Sequence, residues 1–312
     1  MASTVVSIGE CMVELARGEG ARYGLSYGGD SFNTAVYLAR CGVSVAYATA
    51  LGDDPYSAGI RALADAEGVD GSLIATAAGR MPGLYLIETT PAGERSFFYW
   101  RDRSPARELF ELPAAAAVGD AMRAARLIYF SGITLSLYSA AGLDRFEAAL
   151  RAAKAAGVQI AVDGNYRPRG WQGDAERARR TLARFFALAD VALPTFDDEA
   201  ALWSDRTPGD TIARLTSLGI GEIVVKRGPD GALAHAERGT EDVPCPAIVA
   251  AVDTTSAGDA FNAGYLAQRL AGAAPREAAL SGHRLAAVVI AHRGAIVPAA
   301  ATAAVLDGKI RT

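Results

Sequence analysis

The segment DTTSAGDAFNAG, Asp253 to Gly264, brings together residue types suited to phosphoryl transfer. It follows a candidate strand and opens a helical pattern, AFNAGYLAQRL. The small residues Ser256, Ala257 and Gly258 let backbone N–H groups come close to an anion at the positive end of that helix. Asp259 falls in the first turn, beside the place a phosphate would occupy, where a carboxylate can accept the proton of an attacking hydroxyl. An aspartate so placed also caps helices, so position alone leaves both roles open. The helix N-terminus predicts a low pKa for Asp259, and so a weak base that takes its proton late.

Two further segments carry glycines at places where chain and ligand could approach. VVKRGPDGALA, Val224 to Ala234, puts Lys226 at a strand end ahead of Gly228 and Gly231, a lysine beside a glycine turn that suits a polyphosphate or makes an ordinary β-turn. GGDSFNTAVYLARCG starts a helix at Asp30 or Ser31 and ends it near Gly42. Its Gly29 and Asn33 either hold a polyol or shape the helix start. In SFFYWRDRSPA, Tyr99 and Arg101 are two apart and point to one strand face, with Tyr85 on the partner strand. An arginine fork matches a carboxylate in two parallel hydrogen bonds, which a neutral sugar does not require. VDGNYRPRGWQG supplies Asp163, Asn165 and Arg167 after another strand. Both arginines could also be solvated surface charges.

The elements that must position these residues alternate. Strands are expected over Val5–Ile8, Val43–Ala48, Leu127–Phe130, Gln159–Val162, Val191–Leu193 and Glu222–Val225. Helices are expected over Ser31–Arg40, Tyr56–Glu67, Ala140–Ala155 and Ala175–Leu188. This alternation predicts a largely parallel sheet covered on both faces, with binding residues at the carboxyl ends of its strands. Gly83 to Arg101 breaks the rhythm and reads as two strands around a turn at Pro91-Ala92-Gly93. Arg17 to Asp30 is glycine-rich and lacks a helical period. Both belong to a small β-structured flap.

Bulk composition excludes several classes. The 312 residues are 51% hydrophobic and 21% charged with net charge −4 and no polybasic run, which argues against a nucleic-acid or anionic-membrane surface. Cys11, Cys41 and Cys245 form neither a C-x-x-C pair nor a disulfide framework, as expected of thiols in a reducing compartment. His235, His283 and His292 lack zinc spacing. Val5–Ile8 is too short for a signal peptide, and no apolar run reaches the ~20 residues of a membrane span, so a cytoplasmic protein is expected. There is no internal repeat and no G-x-x-x-x-G-K-[ST].

GGDSFNTA, VKRGPDGA and DTTSAGDAFNAG, in this order and spacing, resemble the ribokinase-like (PfkB) carbohydrate kinase family over essentially the whole chain. The resemblance implies one α/β domain over 1–312, a three-layer α/β/α architecture with a mostly parallel sheet, and a small β-sheet lid from about 11–30 and 80–105. It implies ATP with Mg²⁺, with room for a monovalent cation, and transfer to a CH₂OH or similar hydroxyl. Asp259 becomes the catalytic base and the backbone of Ser256, Ala257 and Gly258 the anion hole. Asn165, Arg167, Thr195, Lys226, Gly228 and Gly231 fall to the nucleotide, and His283 with the stretch around Ala286 and Ala287 flanks adenine. Ser256 stands where many relatives have Gly or Ala. The usual N-x-x-E becomes Thr195-Phe196-Asp197-Asp198 followed by Glu199, so Asp198 or Glu199 organises the metal through water.

The aromatic–arginine flap and D-x-N-x-R look like the branch that phosphorylates 2-keto-3-deoxygluconate at its terminal hydroxyl. That likeness puts Gly29, Asp30, Asn33, Tyr85, Tyr99, Arg101 and Arg167 around the sugar acid. A kinase of a neutral sugar or nucleoside, and a non-catalytic sugar-binding protein, are the rivals. The expected partners are the sugar acid, ATP and a second copy of the chain through the lid.

Overall fold

The structure, a computed structural model, describes residues 3–18, 20, 22–89 and 95–306. Its main sheet takes β1 (Val5–Ile8), β4 (Val45–Leu51), β5 (Ile74–Thr76), β8 (Leu127–Ser131), β9 (Gln159–Asp163), β10 (Val191–Ala192), β11 (Glu222–Lys226), β12 (Ala232–Ala236) and β13 (Gly239–Val243). The smaller sheet takes β2 (Met12–Arg17), β3 (Tyr23–Gly28), β6 (Leu84–Thr89) and β7 (Arg95–Trp100).

The nine strands of the main sheet run in the order β13-β12-β11-β10-β9-β8-β1-β4-β5. Every pairing from β11 to β5 is parallel, and β12 and β13 add an antiparallel edge. Parallel strands must be covered on both faces, and the side chains alternate accordingly. Val6, Ile8, Ile128, Phe130, Ile160, Val162, Ile223 and Val225 belong to one buried cluster. Val5, Leu127, Tyr129, Ala161 and Val224 belong to another on the opposite face. The ribokinase-like three-layer arrangement expected from sequence is therefore present. From β1 the chain builds outward through β4 and β5, then returns to the other side of β1 with β8. That reversal opens a crevice beyond the carboxyl ends of β1 and β8, where such sheets bind ligands.

The helix Ala140–Ala155 has the expected bounds, and the other three expected helices differ from expectation by a residue or two at their ends. The strand expected over Val43–Ala48 is displaced to Val45–Leu51. Gly42 takes φ 81 and the Val43 N–H closes back on Leu38 O at 3.1 Å, so Val43 belongs to the turn that leaves the helix. The stretch from Arg17 to Asp30 is more regular than its glycines suggest. Tyr23–Gly28 forms β3 and pairs antiparallel with β2, and β2 runs parallel to β6, giving a small sheet in the order β3-β2-β6-β7. The expected turn at Pro91-Ala92-Gly93 lies outside the described residues. Among the described residues no helix is long and apolar enough to cross a membrane.

Candidate active site

The helix Ala257–Leu270 begins at Ser256, whose φ of 65 is left-handed. Asp253 fixes the chain that enters it, accepting from the Thr255 N–H at 2.9 Å and the Gly294 N–H at 2.8 Å. The first N–H groups of a helix have no intrahelical acceptor, so this end offers donors to an anion. Asp259 does not cap the helix. Its Oδ2 accepts from Asn33 Nδ2 and from Ser256 Oγ, both at 2.9 Å. The low pKa expected from the helix terminus is overturned. Burial, and next the negative charge of Asp30, push the Asp259 carboxyl up to about 7, against the opposing bonds from Asn33 and Ser256. Asp163 adds to the rise. Desolvation outweighs the helix end here because the carboxyl shares its enclosure with other carboxylates.

Asp30 and Asn165 meet beside it. Asp30 accepts from Ser131 Oγ and, at 2.9 Å, from Asn165 Nδ2. Burial raises the pKa of Asp30. Asn165 adopts φ 34, and its N–H bonds Asp163 Oδ1 at 3.1 Å. The chain reaches this corner through Gly29, where an added Cβ would lie 2.0 Å from Glu10 O. Only glycine lets these two backbone segments touch.

Lys226 does not stand free before a phosphate. Its Nζ lies 2.8 Å from Asp163 Oδ2 and 3.0 Å from Asn262 Oδ1. Asn262 Nδ2 reaches Asp163 Oδ2 at 2.6 Å and Tyr129 OH at 3.0 Å. The ammonium nevertheless sits directly behind the helix start, since a Cβ added to Gly258 would be 3.6 Å from Nζ. Thr195 is bridged to Lys226 across the end of β10. Asn262 escaped sequence reasoning, although it follows Asp259 by one helical turn and so shares its face.

Farther along, Gly228 has φ 56 with open space around it, and Gly231 has φ 84 with Val243 O only 2.3 Å from where a Cβ would stand. Gly231 is thus required by the turn between β11 and β12. His283 is buried, its Nε2 3.2 Å from Val243 O and its Nδ1 3.6 Å from Cys245 Sγ. Burial lowers its pKa. Cys245 in turn donates to Gly228 O at 3.6 Å. His283 and the glycine turn form one contact group, separate from the Asp259 cluster.

The two candidate metal carboxylates diverge. Asp198 holds Arg167, whose Nη1 lies 2.8 Å and 2.9 Å from its two oxygens, and it feels the charges of Asp163 and Lys226. Glu199 points into the core, paired with Arg214 Nη2 at 2.6 Å. Its Oε1 would lie 2.3 Å from a Cβ on Gly164, so it supports the turn that carries Asp163 and Asn165. Burial pushes its pKa up to about 7. Among the described residues no group of three or more His, Cys, Asp or Glu could hold a metal ion.

On the small sheet, Tyr85 and Tyr99 are cross-strand partners with ring centroids 5.9 Å apart. Tyr85 OH donates to Glu14, which also accepts from Ser26 Oγ at 2.8 Å. Arg101, just past β7, lies 5.9 Å from the centre of the Tyr99 ring and pairs with Glu10. The Glu10 side chain is 1% exposed, and neither its Oε1 nor the Arg101 Nε has a partner among the described residues. Glu10 was not singled out in the sequence, because no spacing rule links it to Arg101. Tyr99, Arg101 and Arg167 line one cavity of about 780 Å³, closed on another side by Ile133 and Ser136.

Comparison with known proteins agrees with this architecture. Residues 2–302 match the model of the pfkB family carbohydrate kinases. The chain is 40% identical over 305 residues to the 2-dehydro-3-deoxygluconokinase of Escherichia coli K12, covering 96% of this chain and 98% of that protein. It is 41% identical over 302 residues to the protein of the same name from Dickeya dadantii, covering 94% and 96%. The crystal structure of the Thermotoga maritima protein of that name superposes with a TM-score of 0.83 at 21% identity, over 95% of both chains, a likeness of fold. Family match, full-length relatives and the parallel sheet with its companion small sheet lead to one conclusion: this chain belongs to the pfkB family of carbohydrate kinases.

Proposed function

We propose that the chain transfers the γ-phosphoryl of ATP to the terminal hydroxyl of 2-keto-3-deoxygluconate, the compound also called 2-dehydro-3-deoxygluconate, giving the 6-phosphate and ADP. The observation that carries the reading is Arg101, fixed by a buried carboxylate beside Tyr99 and sharing a cavity with Arg167. The two full-length relatives described above support the same substrate.

The residues fit a nucleotide that brings its own metal. A helix start, a Gly258 lacking Cβ and a buried ammonium behind it suit a polyphosphate. Mg²⁺ keeps several waters and takes few protein carboxylates, and Asp198 rather than Glu199 is the one near the cleft. ATP with Mg²⁺ supplies the phosphoryl group and neutralises its charge. Asp259 takes the proton of the acceptor hydroxyl as the new O–P bond forms, and Asn33 and Ser256 hold its carboxyl in place. Lys226 acts on the phosphates through the anion hole it underlies and keeps Asp163 neutralised. The small sheet serves as the lid that excludes water. Exposed Leu25, Phe98 and Trp100 support pairing of two chains through this lid.

The test is a ratio of kcat/KM, for 2-keto-3-deoxygluconate over fructose. A hydrogen bond to a charged group contributes about 1.5–3 kcal/mol. Arg101→Leu should therefore cost roughly 10- to 150-fold toward the acid and much less toward fructose. Because the leucine leaves Glu10 unpaired, Arg101→Lys is measured alongside, keeping the charge and losing the fork. An unchanged ratio in both variants, or a wild type that prefers fructose, returns the site to a neutral-sugar kinase.

A further inference from the structure

The cavity lined by Arg101 and Arg167 carries more positive charge than these two residues supply. Five arginines line it, Arg101, Arg107, Arg167, Arg169 and Arg177, against one acidic residue, Asp102. Two of the five are already balanced, Arg101 by Glu10 and Arg167 by Asp198. The other three have no carboxylate within ion-pair distance among the described residues. Arg169 donates to Phe97 O of the lid strand at 2.6 Å. Arg177 lies 5.5 Å from the centre of the Trp171 ring, a contact that orients the guanidinium without neutralising it. Near Arg107, the carboxylate of Glu108 is taken by Arg80 at 3.2 Å. The uncompensated positive charge of the cavity therefore falls on Arg107, Arg169 and Arg177, in a chain whose net charge is −4.

We propose that Arg107, Arg169 and Arg177 form a second anion site, an outer vestibule that gathers the carboxylate of an incoming sugar acid before it passes to Arg101 beneath the lid. The proposal rests on the sugar-acid reading above and adds a place of first capture to it. Walls of one charge sign in a low-dielectric cleft raise the local concentration of oppositely charged ligands, and the effect is screened by salt. Arg169 also ties the lid to the body through Phe97, so it is left intact in the test.

The probe is gluconate, a carboxylate polyol that requires no turnover, with sorbitol as its neutral counterpart, each titrated by saturation-transfer NMR. At low ionic strength the double variant Arg107→Gln/Arg177→Gln should weaken gluconate binding roughly fivefold, as expected for two partly exposed charges. Arg107→Lys/Arg177→Lys should bind within about twofold of wild type, since a gathering site needs charge and not a fork. The difference should vanish in ~0.5 M salt, where the Debye length is only a few ångströms. Sorbitol should not distinguish the variants, and gluconate should still bind Arg101→Leu. Wild-type affinity in the glutamine pair, a loss the lysine pair shares, a loss that persists in salt, or no saturable gluconate binding to wild type overturns the vestibule. Failure of ADP release with 2-keto-3-deoxygluconate would instead count against the substrate, because gluconate binding is read without catalysis.

Discussion

Replacing Asp259 with Asn separates two consequences of enclosing that carboxyl. Asparagine is isosteric, and its carbonyl oxygen can accept both bonds that Oδ2 accepts now, from Asn33 and Ser256. What it removes is a charge that the folded state disfavours. The rise from 3.8 to about 7 corresponds to about 4 kcal/mol between the two protonation states. Asp30 shares that repulsion, so roughly 2–4 kcal/mol belongs to Asp259 alone. The sign follows from the direction of the shift. A carboxyl whose folded pKa is raised lets the unfolded chain lose its proton first, so stability falls as pH climbs from about 4 to about 7. Asp259→Asn should match wild type near pH 4 and exceed it near pH 8, by roughly 5–10 °C in thermal midpoint for a chain of this size. Turnover, measured on the same samples, should fall by roughly 10²–10⁴-fold. Circular-dichroism melts from pH 4 to pH 8 in the absence of ligands provide the comparison. A stability difference that does not grow with pH refutes the enclosed-carboxyl argument, and near-normal turnover refutes the role as base.

Asp30→Asn removes the larger of the two neighbouring charges that raise Asp259, so the rising limb of wild-type kcat/KM against pH should move to lower pH; an unmoved limb means that Asp30 does not act on Asp259. Lys226→Met strands Asp163 without its cation and should destabilise the protein by roughly 3–5 kcal/mol while raising the KM for ATP. Adding Asp163→Asn should recover most of that loss in denaturant melts, and a single Lys226→Met variant that melts like wild type contradicts the pairing.

The β–α alternation was readable because the parallel strands are short apolar runs bounded by helical periods, as in Gln159–Asp163 followed by Ala175–Phe186. The hairpin partner Tyr23–Gly28 was not, since an exposed strand containing two glycines loses the composition that marks buried ones. Within the site, residues close in sequence to a glycine turn or helix start were legible, among them Asp259, Asn33 and Lys226. Which of them pair with one another was not. Glu10 and Arg101 are 91 positions apart, and Lys226 and Asp163 63 apart, so only the folded sheet brings their charges together. The same limit explains the error about Asp259: a helix start can be read locally, whereas the carboxylates of Asp30, at the start of the helix Asp30–Arg40, and of Asp163, at the end of β9, arrive from elsewhere in the chain.

That gathering of charge gives the site its chemistry. Asp30, Asp163 and Asp259 converge with Lys226 as the ammonium among them, and Lys226 is bound to Asp163. The remaining two carboxyls, Asp30 and Asp259, cannot both be ionised cheaply. For a kinase this has a use. In the proposed reading the ammonium behind Gly258 favours the arrival of a phosphate at the helix start. There Asp259, its carboxyl pushed up to about 7, would take up the proton of the acceptor hydroxyl more readily than an ordinary carboxylate. In the arginine-lined cavity, Arg101 and Arg167 are each tied to a carboxylate, whereas Arg107, Arg169 and Arg177 have no carboxylate within ion-pair distance among the described residues. In the proposed reading these free guanidinium groups attract an anionic acceptor, Arg101 and Arg167 orient it, and Asp259 meets its hydroxyl.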